Sequence, residues 1–129
     1  MGRVRYVQVG TGGRARMYYE ALCGTYADCC ELKAFCYLRQ ARMDYANRII
    51  GEKFGKAPVP SYHYTQFTRM LEIERPDVVI VTCVDRAHDD YIIKAMEMGC
   101  DVVTEKPLTT DERKAQAIID AQKRTGRHI

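Results

Sequence analysis

The chain has 129 residues, 47% hydrophobic and 29% charged, with a formal net charge of +3. That length suits one domain with a core of its own, and a small charge of mixed sign gives no electrostatic case for nucleic acid. No apolar stretch approaches the roughly 20 residues of a membrane helix, and the first strand starts too early to leave room for a signal peptide.

Val4-Arg5-Tyr6-Val7-Gln8-Val9 reads as a strand that runs directly into Gly10-Thr11-Gly12-Gly13-Arg14-Ala15. Gly10-x-Gly12-x-x-Ala15 fits the glycine fingerprint of a strand–turn–helix that receives a dinucleotide. Gly10 permits the sharp turn, Gly12 lets a pyrophosphate approach the backbone, and Ala15 is small enough for the helix to lie on the strand. The free N–H groups at the start of that helix then face an anion. An ordinary glycine turn is the bland alternative.

The remaining elements alternate. Arg14 to about Gly24 is predicted helical, with Ala15, Tyr18, Tyr19 and Leu22 at helical spacing. The two tyrosines are read as packing residues. Glu31 to Tyr37 reads as a strand. A helix follows from about Ala41 to Glu52, broken up by Gly51 and Gly55. Pro58 to Tyr62 allows only a short or edge strand. Thr65 to Glu74 is helical. Val78 to Cys83, almost wholly β-branched, predicts a strand buried on both faces, as in a parallel sheet. His88 to Met98 is the next helix, and Cys100 to Thr104 the next strand. A final helix is capped by Thr110 or Asp111, carries Ala115, Ile118, Ile119 and Ala121 on one face, and stops at Gly126. The basic run from Lys123 to Arg127 suits the negative end of that helix. Five strands alternating with helices predict a single α/β domain over residues 1–129, a Rossmann-like doubly wound parallel sheet.

The six cysteines (Cys23, Cys29, Cys30, Cys36, Cys83 and Cys100) form no C-x-x-C pair and are not grouped with histidine. They read as small hydrophobes in a reduced, cytoplasmic setting. His63 and His128 receive no role. With three scattered histidines and no acidic cluster, no metal is expected.

The second informative stretch is Val102-Val103-Thr104-Glu105-Lys106-Pro107-Leu108. Ligands of open α/β sheets bind beyond the carboxyl ends of the strands, so Glu105 and Lys106 share a crevice with the glycine turn. Pro107 confines Lys106 to extended backbone. These motifs occur in order with Asp77-Val-Val-Ile-Val-Thr-Cys-Val-Asp-Arg-Ala-His88 and Ala95-Met-Glu-Met-Gly-Cys-Asp-Val-Val. Over its whole length the chain resembles the first domain of the glucose–fructose oxidoreductase, inositol dehydrogenase and rhizopine-catabolism (Gfo/Idh/MocA) oxidoreductases.

The resemblance implies an NAD(P)-dependent oxidoreductase acting on a sugar, polyol or related alcohol or carbonyl. It implies a second α/β substrate domain, absent from these 129 residues, which carries most of the substrate site and the acid/base residues. The chain alone is then expected to be catalytically incomplete. Gly10, Thr11, Gly12, Gly13 and Arg14 are the candidate pyrophosphate residues, and Tyr37, Arg39, Thr82, Cys83, His88 and Glu105 join them in the cofactor-binding set. Lys106 is the candidate catalytic residue, touching the nicotinamide ribose and the substrate oxygen. Glu105 braces that end.

Two departures stand out. Where the family often has an aspartate for the adenosine ribose, this chain has Tyr37, followed by Leu38 and Arg39, with Arg42 beyond. Loss of the acid removes a partner for the 2′-hydroxyl and a repeller of a 2′-phosphate, so NADP is favoured over NAD. Val84-Asp85 replaces the usual Pro-Asn, and His88 is read as docking its neutral ring on the loop rather than as catalytic. A stand-alone nucleotide-binding or sensing module is the alternative reading. The fifth strand is expected to form an open edge, inviting self-association or cover by the terminal residues.

Overall fold

The computed structural model describes residues 3–10, 15–82, 88–104 and 112–129. Strands β1 (Val4–Val9), β2 (Cys30–Tyr37), β3 (Ser61–His63), β4 (Val78–Val81) and β5 (Asp101–Thr104) form one sheet. Its order is β3-β2-β1-β4-β5, and all pairings are parallel. Helices α1 (Arg16–Cys23), α2 (Gln40–Phe54), α3 (Phe67–Glu74), α4 (His88–Glu97) and α5 (Glu112–Thr125) connect and flank the strands.

The sheet is covered on both sides because its strands offer apolar side chains in both directions. Val7, Val9, Ala34, Cys36, Val79, Val81 and Val102 face α3, α4 and α5, where they meet Phe67, Met70, Ile92, Met96 and Ile118. Leu32, Phe35 and Ile80 face α1 and α2 and pack with Tyr19, Leu22, Met43, Ala46 and Ile50. Leu32 and Ala34 would share a face in a regular strand. Here Tyr6 pairs with Leu32 and Val7 with Ala34, so Lys33 is an extra residue that reverses the alternation.

Several boundaries differ from the sequence reading. Gly51 lies inside α2 rather than breaking it; the helix ends at Gly55, left-handed with φ 65°, whose N–H donates to Gly51 O at 3.0 Å. The segment from Tyr64 begins as a 3₁₀ turn before α3. His63 caps that turn: its Nδ1 accepts from Thr65 N–H at 3.3 Å, and Gln66 Oε1 accepts from His63 N–H at 3.2 Å. β4 stops at Val81, β5 starts at Asp101, and Ile119 is exposed instead of sharing the buried face of Ile118 and Ala121.

The chain end lies along the outer edge of β5. Val102 N–H donates to His128 O at 2.8 Å, and His128 N–H donates to Asp101 Oδ1 at 2.9 Å. Arg127 pairs with Asp101 at 3.3 Å and donates to Gly99 O at 2.9 Å. The expected cover by terminal residues is therefore present at the start of this edge.

At the amino ends of β1 and β4, Asp77 accepts from Arg5 N–H at 2.8 Å and from its guanidinium at 3.4 Å. The Arg5 N–H and then its guanidinium hold the Asp77 carboxyl below the usual carboxylate range. A lowered native pKa means stability that is present above the unfolded value and lost as pH falls through the native one. Asp77→Asn is therefore expected to be less stable than the parent at neutral pH. Its urea midpoint should also fall less on acidification below about pH 4. Parallel urea titrations across that range check both.

Candidate functional site

Gly10 ends β1, the central strand, where its neighbours β2 and β4 also reach their carboxyl ends. Its φ of 92° is left-handed, a backbone that side chains with a Cβ rarely adopt. Gly10 is held from both sides. Gly10 N–H donates to Cys36 O at 2.8 Å on the β2 side. On the β4 side the Thr82 hydroxyl reaches Val9 O at 2.9 Å and Gly10 O at 3.0 Å, and Thr82 N–H donates to Val9 O at 2.8 Å. Thr82 thus ties the ends of β1 and β4 together.

Beneath the turn, Gln8 is fully buried between apolar neighbours, and its Nε2 donates to Ala15 O at 2.8 Å. A buried amide costs free energy unless it is hydrogen-bonded. Here the Nε2 bond pins Ala15 over β1, while Oε1 is buried with no partner among the described residues. The sequence reading missed this residue, although a polar side chain inside Val7-Gln8-Val9 of a doubly covered sheet was the signal. Ala15 itself is buried, at 1% exposure, which agrees with the need for a small residue where helix meets strand.

The start of α1 has no side-chain cap and no acid in its first turn. Among the described residues, no carboxylate takes the backbone N–H groups or the positive dipole end of this turn. Arg16, in that first turn, is held by Glu20 at 3.0 Å, and Glu20 is shared with Lys53 of α2 at 2.7 Å. The two cations keep the Glu20 carboxyl below its ordinary range, Lys53 contributing most. This trio locks α1 to α2 and holds the helix end in place.

At the end of β2, Tyr37 is half-buried and Arg39 is exposed, in extended backbone before α2. The first turn of α2 carries no acid. Asp44 lies one turn further on and accepts from Gln40 at 2.9 Å. Among the described residues neither Arg39 nor Arg42 makes an ion pair.

The structure thus brings Gly10, Tyr37, Arg39 and Thr82 to one end of the sheet. Thr11, Gly12, Gly13, Arg14, Cys83, Glu105 and Lys106 lie outside the described residues, as does the side chain of His88, whose backbone opens α4. Next to it Asp89 is buried, 3.5 Å from Lys114 of α5. Tyr19 is a core residue, edge-on to Phe35 at 5.5 Å. Among the described residues no group of three or more His, Cys, Asp or Glu could hold a metal. No described helix is long and apolar enough to cross a membrane. Among the described residues, a positive-φ glycine after β1 and first turns of α1 and α2 without an acid fit the pyrophosphate and adenosine portions of a dinucleotide.

Comparison with known proteins agrees. A model of the Gfo/Idh/MocA group, described as an oxidoreductase family with an NAD-binding Rossmann fold, matches residues 4–129. The chain is 32% identical over 97 residues to D-glucoside 3-dehydrogenase of Escherichia coli, covering 75% of this chain and 25% of that protein. It is 30% identical over 123 residues to an alpha-N-acetylgalactosaminidase of Shewanella oneidensis, covering 95% and 26%. Among solved structures, a 3-ketoreductase from Actinomadura kijaniata, in complex with TDP-benzene and NADP, superposes with a TM-score of 0.73. That protein is 26% identical, with 98% of this chain and 37% of that chain covered. The chain spans about a quarter of the length of the two curated relatives named above. It belongs to the Gfo/Idh/MocA oxidoreductases, as the NAD-binding Rossmann domain of that family.

Proposed function

We propose that this domain holds a nicotinamide dinucleotide for hydride transfer to or from a carbinol or carbonyl carbon of a sugar, polyol or related compound. The relatives' names support the substrate class. When bound, the nicotinamide supplies the hydride donor or acceptor. Gly10, Thr11, Gly12, Gly13 and Arg14 surround the pyrophosphate, with Thr82 fixing the turn. Tyr37 and Arg39 receive the adenosine ribose, and Cys83 and His88 belong to the cofactor-binding set. Lys106 orients the substrate oxygen near the nicotinamide ribose, and Glu105 braces it. A second domain would supply the acid/base groups, so the 129 residues alone bind dinucleotide and turn nothing over. The part of the β5 edge beyond the His128 contact is where a second copy would pair, which sedimentation would read as a dimer. A cytoplasmic location fits a chain whose thiols stay reduced.

The observation that carries the cofactor choice is the end of β2, where Arg39 has no acidic partner among the described residues and no acid occupies the first turn of α2. A 2′-phosphate there meets a cation instead of a carboxylate. Calorimetric titration is expected to show tighter binding of NADP than of NAD. Arg39→Ala should weaken NADP by roughly tenfold or more and leave NAD unchanged, given about 1.5–3 kcal/mol for a charged hydrogen bond. Tighter NAD binding, or equal loss of both in the variant, would overturn the preference.

A further inference from the structure

The opposite end of the sheet carries a feature that the dinucleotide reading does not use. Cys29 and Cys30 are adjacent, both free, and their sulfurs lie 3.8 Å apart. Neighbours within a strand point to opposite faces. These two do not separate in that way because Cys29 is still in the turn of residues 24–29, whereas Cys30 is the first residue of β2.

The backbone holds this geometry. Tyr26 O accepts from Cys29 N–H at 3.1 Å and from Cys30 N–H at 2.8 Å, and the Cys29 thiol also reaches it at 3.5 Å. Cys29 O accepts from Val4 N–H at 2.9 Å, joining the turn to β1. Cys29 is exposed and Cys30 half-buried, the latter at the wall of a recess of about 160 Å³ that Arg3, Cys23, Glu31 and Lys56 also line.

Two chemistries compete for adjacent thiols. A disulfide spans Cα atoms usually about 4.4–6.8 Å apart, but consecutive Cα atoms across a trans peptide are only about 3.8 Å apart, so direct oxidation strains the pair. An inserted atom does not. A centre bonded to both sulfurs at about 2.3 Å, with bond angles near 95–109°, holds them roughly 3.4–3.8 Å apart. A tetrahedral zinc ion needs four donors, and no cluster of three or more metal-ligating side chains exists among the described residues. A centre satisfied by two protein sulfurs fits better.

We propose that Cys29 and Cys30 form a preorganised dithiol site for a monosubstituted trivalent arsenical, whose third bond is to carbon. With an arsine oxide, both arsenic–oxygen bonds break and two arsenic–sulfur bonds form. The two thiol protons leave with the oxygen as one water, and no oxidant or reductant is needed. The site lies about 20 Å from Gly10 along β1, given roughly 3.3 Å per residue, so its occupancy leaves dinucleotide binding unaffected. It does not depend on the proposed function.

Phenylarsine oxide and intact-mass spectrometry test this on the full chain. One phenylarsenic group should remain in excess 2-mercaptoethanol and leave with 2,3-dimercaptopropanol. Cys29→Ser and Cys30→Ser should each lose it on the order of 10²-fold faster, while Cys23→Ser retains it. Should Cys30→Ser fail to fold, the exposed Cys29→Ser carries the test alone. Removal from the parent by the monothiol, retention in Cys29→Ser, or mapping of the adduct to another cysteine would each overturn the proposal.

Discussion

Gly10→Val is expected to lower the stability of the folded chain by about 1–3 kcal/mol, the usual cost of forcing a residue into a disfavoured backbone region, and to abolish measurable dinucleotide binding. Both effects have one origin. At φ 92° a β-branched side chain is strained. Relaxing that strain moves either the N–H that bonds Cys36 O or the carbonyl that bonds the Thr82 hydroxyl. The turn then leaves the sheet in a different direction, and the start of α1 no longer faces the pyrophosphate. Each 1.4 kcal/mol of that mismatch is about a factor of ten in affinity. Thermal melting by circular dichroism reads the first effect and calorimetry the second. Gly10→Ala, with the same φ conflict but less bulk, should show the same pattern in weaker form. Unchanged binding in Gly10→Val would remove the turn from the site.

Phe35→Ala is expected to cost about 3–5 kcal/mol, the range for large-to-small aromatic truncation in a packed core. Phe35 is fully buried on β2, edge-on to Tyr19 of α1, with its N–H donating to Pro60 O at 3.0 Å. Truncation leaves a cavity under the helix whose start would meet the cofactor. A domain typically has about 5–15 kcal/mol in all, so the urea midpoint should drop severely, and dinucleotide affinity should fall with it as α1 loosens. Phe35→Leu, which keeps most of the volume, should cost under about 1.5 kcal/mol. Equal urea midpoints for Phe35→Ala and the parent would mean that α1 does not depend on this contact.

Much of this architecture was legible in the residues because the strongest signals are local. Val78 to Val81 reads as a doubly covered strand from β-branching alone, and Gly10 reads as a turn from its place after an apolar run. Other features depend on neighbours that the sequence does not show. The reversal at Lys33 arises only when β2 pairs with β1. Gly51 was read as a breaker, yet it tolerates a helix that has packed Ala46, Ile49 and Ile50 against the sheet; tertiary burial outweighs its roughly 1 kcal/mol propensity cost. Ile119 fits the helical period but falls outside the stripe that α4 covers. In the site, Thr82 reads as a cofactor-binding residue by position. Its single O–H lies within reach of two backbone carbonyls, Val9 O and Gly10 O, and donates to either, a contact visible only once β1 and β4 lie side by side. Gln8 does not stand out in the sequence because a single polar residue hardly disturbs an apolar strand pattern.

The central claim is that the carboxyl end of this sheet, at Gly10, the start of α1 and the end of β2, receives a nicotinamide dinucleotide. Titrating the isotope-labelled chain with NADP and following backbone amide shifts tests it most directly. Saturable shifts are expected at Gly10, Arg16, Met17, Tyr37, Arg39 and Thr82, with Val4 and Cys30 at the far end unmoved. Shifts confined to that far end, or none from a folded chain at millimolar NADP and NAD, would contradict it.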